Sequence, residues 1–110
     1  MLNFIRLFNA QQMFVHDTAM KKGWWDEPRN DGECIALMHS ELSEALEYIR
    51  AGNPPDDKIP DFNGVEAELA DVVIRIMDFA EDRGYRVAEA IVAKSEFNRN
   101  RKHKHGGKKF

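Results

Sequence analysis

Cys34 is the only cysteine in the 110 residues, which excludes an internal disulfide and a thiolate zinc cluster. It is expected to pack as a small apolar side chain. Long apolar runs are missing as well. The segment Met1 to Phe14 mixes polar with apolar residues, and no stretch approaches the roughly 20 apolar residues of a membrane span. No signal peptide is visible, so a cytoplasmic protein without membrane contact is the simplest expectation. No Val/Ile/Thr-rich alternating segment bounded by turns occurs, and no sheet is expected. Without a linker or a low-complexity tract the chain reads as one domain. At this length it can bury only a modest core.

Charge is plentiful: 32% of residues are charged and 43% are hydrophobic. That balance suits helices with wet outer faces and excludes a disordered chain. The net charge of −3 is unevenly spread. From Lys94 onward seven Lys or Arg stand against one Glu, leaving an acidic body with a basic end. Such an asymmetry suits a metal site and a polyanionic ligand that needs both parts, or simply a solvated tail.

Four helical segments are predicted. The first spans about Asn3 to Lys22, with Phe4, Leu7, Phe8, Met13 and Phe14 as apolar contacts, and stops at Gly23. After the loop Trp24 to Arg29, a second starts at Asn30 or Asp31, either of which can cap it, and reaches Ala51 before Gly52. Asn53-Pro54-Pro55-Asp56-Asp57 forms a turn. A third begins between Asp61 and Val65 and ends at Gly84, and a fourth runs from about Arg86 to Phe97. Residues 98–110 form a basic arm attached to the 1–97 helical domain. Ile35, Met38, Leu42, Ala45 and Ile49 make one apolar stripe. Val65, Leu69, Val72, Ile76 and Phe79 make another. Both are expected to pack against neighbouring helices.

The chemistry is concentrated in two matched motifs. Glu41-Leu42-Ser43-Glu44 lies in the second helix and Glu68-Leu69-Ala70-Asp71 in the third. A spacing of three puts each pair on adjoining positions of one helix face. At about 100° per residue, Glu41 and Glu68 flank their stripes, with Glu44 and Asp71 about 60° further round. In an antiparallel hairpin both pairs lie about 11–12 Å from the turn at 1.5 Å per residue. Four carboxylates at one level repel one another. A hard divalent cation with oxygen ligands relieves that repulsion, and Mg²⁺ or Mn²⁺ suits the set better than zinc.

With these motifs the chain resembles the MazG-like all-α nucleoside triphosphate pyrophosphohydrolases, which include the dCTP pyrophosphatases. The family pattern, E-x-x-E, a spacer and E-x-x-D, reads here as Glu41 to Glu44 and Glu68 to Asp71. The match extends to Gly23-Trp24-Trp25-Asp26, to Lys94 and Asn98, and to the ending from Arg101 through His105 to Lys108. The resemblance implies Mg²⁺-dependent cleavage of a (d)NTP between the α- and β-phosphates, giving a monophosphate and pyrophosphate in nucleotide-pool housecleaning. It implies metal ligation by Glu41, Glu44, Glu68 and Asp71. Glu44 would be the acid nearest the attacking water, with Glu41 the other candidate. Lys94 is carried over as a catalytic cation, and Lys94 and Asn98 as contacts to phosphates and sugar. Trp25 would stack on the base and His16 contact it, while Trp24 is assigned to packing. Arg101, His105 and Lys108 would close over the phosphates. Arg75 departs from the pattern, standing where some dCTP-specific relatives carry an aromatic.

The resemblance also implies a homodimer or homotetramer in which helices of two subunits form a four-helix bundle. The broad apolar arcs of the second and third helices agree with that. Two other functions fit parts of the sequence. Phosphoribosyl-ATP pyrophosphohydrolases share the fold and the acids. A non-catalytic helical nucleotide-binding or interaction module would account for the basic end, although a scaffold has no need of converging carboxylates.

Overall fold

A computed structural model describes residues 1–101. It contains α1 (Leu2–Lys21), α2 (Asp31–Arg50), α3 (Gly64–Arg83) and α4 (Val87–Arg99). No strand occurs among the described residues, only an isolated bridge between Pro55 and Asn63. No described helix is long and apolar enough to cross a membrane.

Local chemistry sets the boundaries. The Asn30 side chain accepts from the Glu33 amide at 2.7 Å and starts α2. Asn63 and Glu66 form a reciprocal capping box at the start of α3, which satisfies two of the amides that a helix N-terminus leaves open. Gly84, in the left-handed region at φ 71°, ends α3. Helix α4 continues to Arg99, so Asn98 lies inside it rather than in an arm.

Helices α2 and α3 form an antiparallel hairpin. Asp31 at the start of α2 pairs with Arg83 at the end of α3, while Tyr48 near the end of α2 packs on Gly64 at the start of α3. A Cβ at Gly64 would fall 1.9 Å from the Tyr48 ring, so only glycine permits this approach. Helix α1 lies along the other side of α3, joined by Gln12 to Glu81 and His16 to Asp78, and α4 packs on α1.

The buried apolar positions are mostly small: Val15, Ala19, Cys34, Ala45, Ala67, Met77, Ala80 and Ala88. The helices therefore meet through alanine seams, and the large side chains flank them. That corrects the expected stripes. Ile35, Leu42 and Ile49 of α2 and Leu69 of α3 are exposed, as are Leu7, Met13 and Phe14 of α1.

Candidate metal centre

Carboxylate oxygens of Glu41, Glu44 and Glu68 lie within 4.8 Å of one another. The hairpin produces this convergence from the last three turns of α2 and the first two of α3. Glu41 and Glu68 are buried and Glu44 is exposed. Asp71 lies one turn further along α3, outside the three-acid group and exposed, but it lines the same cleft. That cleft encloses ≈ 400 Å³, within the size range of small-ligand sites.

The three acids differ in their partners. Glu41 accepts from Arg75 Nε at 2.8 Å. Glu68 Oε2 is buried and has no hydrogen-bond partner among the described residues. Burial and the adjoining Glu41 and Glu44 carboxylates push Glu68 up to about 8. This is the expected outcome when carboxylates share a site, because both cannot cheaply ionise. Burial also pushes Glu41 up, but hydrogen bonds from a protonated Glu68 and from Arg75 outweigh it and hold that carboxyl below its usual range. Asp71 is raised by burial and then by the charge of Glu41. An orphaned buried oxygen beside two further carboxylates fits a hard cation: the donors are all oxygen and the cleft stays open to water and phosphate.

Arg75 connects this cleft to the aromatic loop. Its guanidinium carbon sits 5.4 Å from the centre of the Trp24 ring. Trp24, assigned to packing on sequence, is 50% exposed and lines the acidic cleft. An adjoining pocket between α1 and α3, ≈ 110 Å³ in volume, is walled by Trp24 with Val15, Ala19 and Ile74.

Trp25 and His16 sit elsewhere. Trp25 Nε1 donates to both Asp78 oxygens, at 2.9 and 3.1 Å, and Arg29 lies over its ring. His16 Nδ1 donates to Asp78 Oδ1 at 2.7 Å, and its ring meets Trp25 edge-on. Both side chains are tied to one buried carboxylate and neither lines the acidic cleft.

Within one chain the fold does not bring Lys94 or Asn98 to the acids. Both are exposed on α4, and the Lys94 ammonium lies over Phe97. Arg101 also sits over Phe97. His105 and Lys108 fall outside the described residues.

Sequence reasoning missed Lys58. It lies in the 51–63 connection and lines the acidic cleft beside Glu44 and Glu68. The run Pro54-Pro55-Asp56-Asp57 carried a signal, because an Asp in a turn commonly accepts from the backbone amide two residues on, here that of Lys58.

No family model matches the chain, and neither a curated protein nor a solved structure matches it.

Proposed function

We propose that the chain is a Mg²⁺-dependent nucleoside triphosphate pyrophosphohydrolase of the MazG-like kind. The observation that carries this reading is the orphaned Glu68 oxygen within a three-carboxylate cluster at the floor of an open cleft. A scaffold would gain nothing from three acids that repel one another. Glu41, Glu44 and Glu68 would hold the cation, with Asp71 joining from the next turn and Mn²⁺ a workable substitute. Bound there, the ion would neutralise phosphate charge and lower the pKa of a water.

The chain's own residues divide the remaining work. Glu41 is engaged by Arg75 and Glu68 is buried, which leaves Glu44 as the acid free to orient a water and take its proton. Trp24, half exposed on the same cleft, supplies an aromatic face for a base. Lys94, Asn98 and the basic end would reach the phosphates from a second subunit. The exposed apolar face of α2, with Ile35, Leu42, Leu46 and Ile49, gives such a subunit a surface to cover.

Incubation of the protein with each (d)NTP and Mg²⁺ tests the reading. Pyrophosphate and a monophosphate are expected. Release of orthophosphate would place cleavage at the other bond, and no product from any nucleotide would leave a non-catalytic module.

A further inference from the structure

The fold treats its arginines unequally. Arg50 and Arg99 pair on open surface with a glutamate three residues earlier. The side chains of Arg29 and Arg75 are only 15% and 22% exposed, and each is held at two points. Arg29 Nε donates to Glu33 at 3.2 Å, and its guanidinium carbon lies 5.3 Å from the centre of the Trp25 ring. Arg75 Nε donates to Glu41 at 2.8 Å, with the guanidinium carbon 5.4 Å from the centre of the Trp24 ring. Each guanidinium thus gives its Nε to a carboxylate and meets an indole ring. The Nη nitrogens of both form no hydrogen bond among the described residues. Arg83 Nη2 donates to the Arg29 carbonyl at 2.6 Å and holds that stretch of backbone.

Both arginines line one open cleft of ≈ 340 Å³, together with Trp24 and Leu37, and no carboxylate is in its wall. This cleft adjoins the acidic one and shares Trp24 and Arg75 with it. The two are chemical opposites: one gathers acids and the other gathers cations. Like charges on one cleft repel, and Glu33 and Glu41 engage only the Nε atoms. An anion on the open Nη edges would relieve that repulsion. Because both side chains are already held, little further ordering would be needed to bind it.

We infer that this cleft is an anion site whose ligand is a phosphate group, bound by the Nη atoms of Arg29 and Arg75. A carboxylate offers two oxygens, enough for one guanidinium fork, whereas a phosphate group offers at least three. The group can belong to a nucleotide held at the neighbouring acids or to a free phosphoanion, since both present the same oxygens. The site stands on the chain's own cations and does not require the pyrophosphohydrolase reading.

Trp24 and Trp25 are the only tryptophans in the chain, so intrinsic fluorescence reports on the cleft. Pyrophosphate is titrated into the metal-free protein for the wild type, Arg29→Gln, Arg75→Gln and Leu37→Glu. One lost charge-assisted contact corresponds to about tenfold in affinity, and each arginine variant should weaken pyrophosphate by about that factor. Leu37→Glu leaves both arginines in place and puts a carboxylate in the wall, so it should weaken binding at least as much. It keeps the test decisive if an arginine variant fails to fold. Adenosine, which carries no phosphate, should not displace pyrophosphate. ATP that displaces it marks the nucleotide's own phosphates as the ligand, and ATP that binds beside it marks a free phosphoanion. Unchanged pyrophosphate affinity in Arg29→Gln and Leu37→Glu, or displacement by adenosine as readily as by ATP, would overturn the site. A protein that hydrolyses nucleotides yet binds pyrophosphate independently of both arginines keeps the enzyme and loses this site. Binding that needs both arginines in a protein without turnover keeps this site alone.

Discussion

Helix α3 buries two carboxylates ten residues apart, Glu68 and Asp78, and the fold treats them in opposite ways. Asp78 is met by donors: His16 Nδ1 and Trp25 Nε1 occupy its oxygens. Glu68 is met by two more acids, and one of its oxygens has no partner among the described residues. Burial is nearly equal, at 9% exposure against 6%. What separates the two acids here is therefore the surroundings. A satisfied carboxylate holds elements together, whereas one facing its own kind stores an unfavourable energy that only a proton or a cation removes.

Removing each charge should break that comparison open. Glu68→Gln is expected to cut pyrophosphate release by at least about a thousandfold, in line with loss of a ligand from a site whose electrostatics carry the chemistry. The same change should leave the metal-free protein at least as stable as the wild type, because a glutamine amide is uncharged and can donate to Glu41 as the protonated Glu68 carboxyl does. Urea titrations beside the activity assay would check both. A variant that keeps its turnover, or that unfolds at clearly lower urea than the wild type, would mean that Glu68 belongs with Asp78 as a structural group.

Asp78→Ala should show the mirror image. It strips the acceptor from two buried or half-buried donors and opens space between α1 and α3. About 3 kcal/mol of stability should go, given the cost of leaving such groups unpaired and the space unfilled. Mg²⁺ affinity at the carboxylate cluster should move by less than about twofold. A large loss of metal binding with stability intact would show the two clusters to be one site.

Much of this arrangement could be read from residues alone. The four helices follow from Asn30, Gly52, Gly84 and the apolar periodicity. The convergence of the acid pairs follows from equal distances to one turn. What periodicity could not supply was the difference within the pairs. Both motifs space their acids by three, yet Glu44 joins the cluster and Asp71 stands outside it. Backbone direction in the hairpin decides that. Trp24 and Trp25 are adjacent in a loop, where no period assigns a face. Asp78, more than fifty residues away, draws one inward and leaves the other exposed. Lys58 depends on a turn that Asp56 closes on its own backbone. The α2 stripe of Ile35, Leu42 and Ile49 was visible as a stripe, but among the described residues nothing covers it. Lys94 and Asn98 share a face of α4, and which helix α4 packs on is a tertiary choice that their spacing does not encode.

The raised Glu68 carboxyl also makes stability and metal binding respond to pH. Glu68 is raised to about 8 in the folded protein from an ordinary 4.5. Below 4.5 the folded and unfolded chains both hold the proton, so Glu68 contributes nothing. Between 4.5 and 8 the unfolded chain releases it and the folded chain keeps it, so rising pH favours unfolding. The metal-free melting temperature should therefore fall across that window and level off above it, apart from the opposite contribution of Glu41. Glu41 is held below its usual range, so it stabilises above 4.5 and loses that effect as pH falls through its lowered value. Mg²⁺ should flatten the decline because it replaces the proton. At pH 7 its binding should then expel close to one proton per site, falling toward none by about pH 9.5. Calorimetry in two buffers of different ionisation enthalpy would count the protons, and Glu68→Gln should bring the count near zero. An unchanged count in that variant would move the proton, and with it the strain, to another carboxylate. A count of zero in the wild type would leave Glu68 ionised beside its neighbours and contradict its raised value.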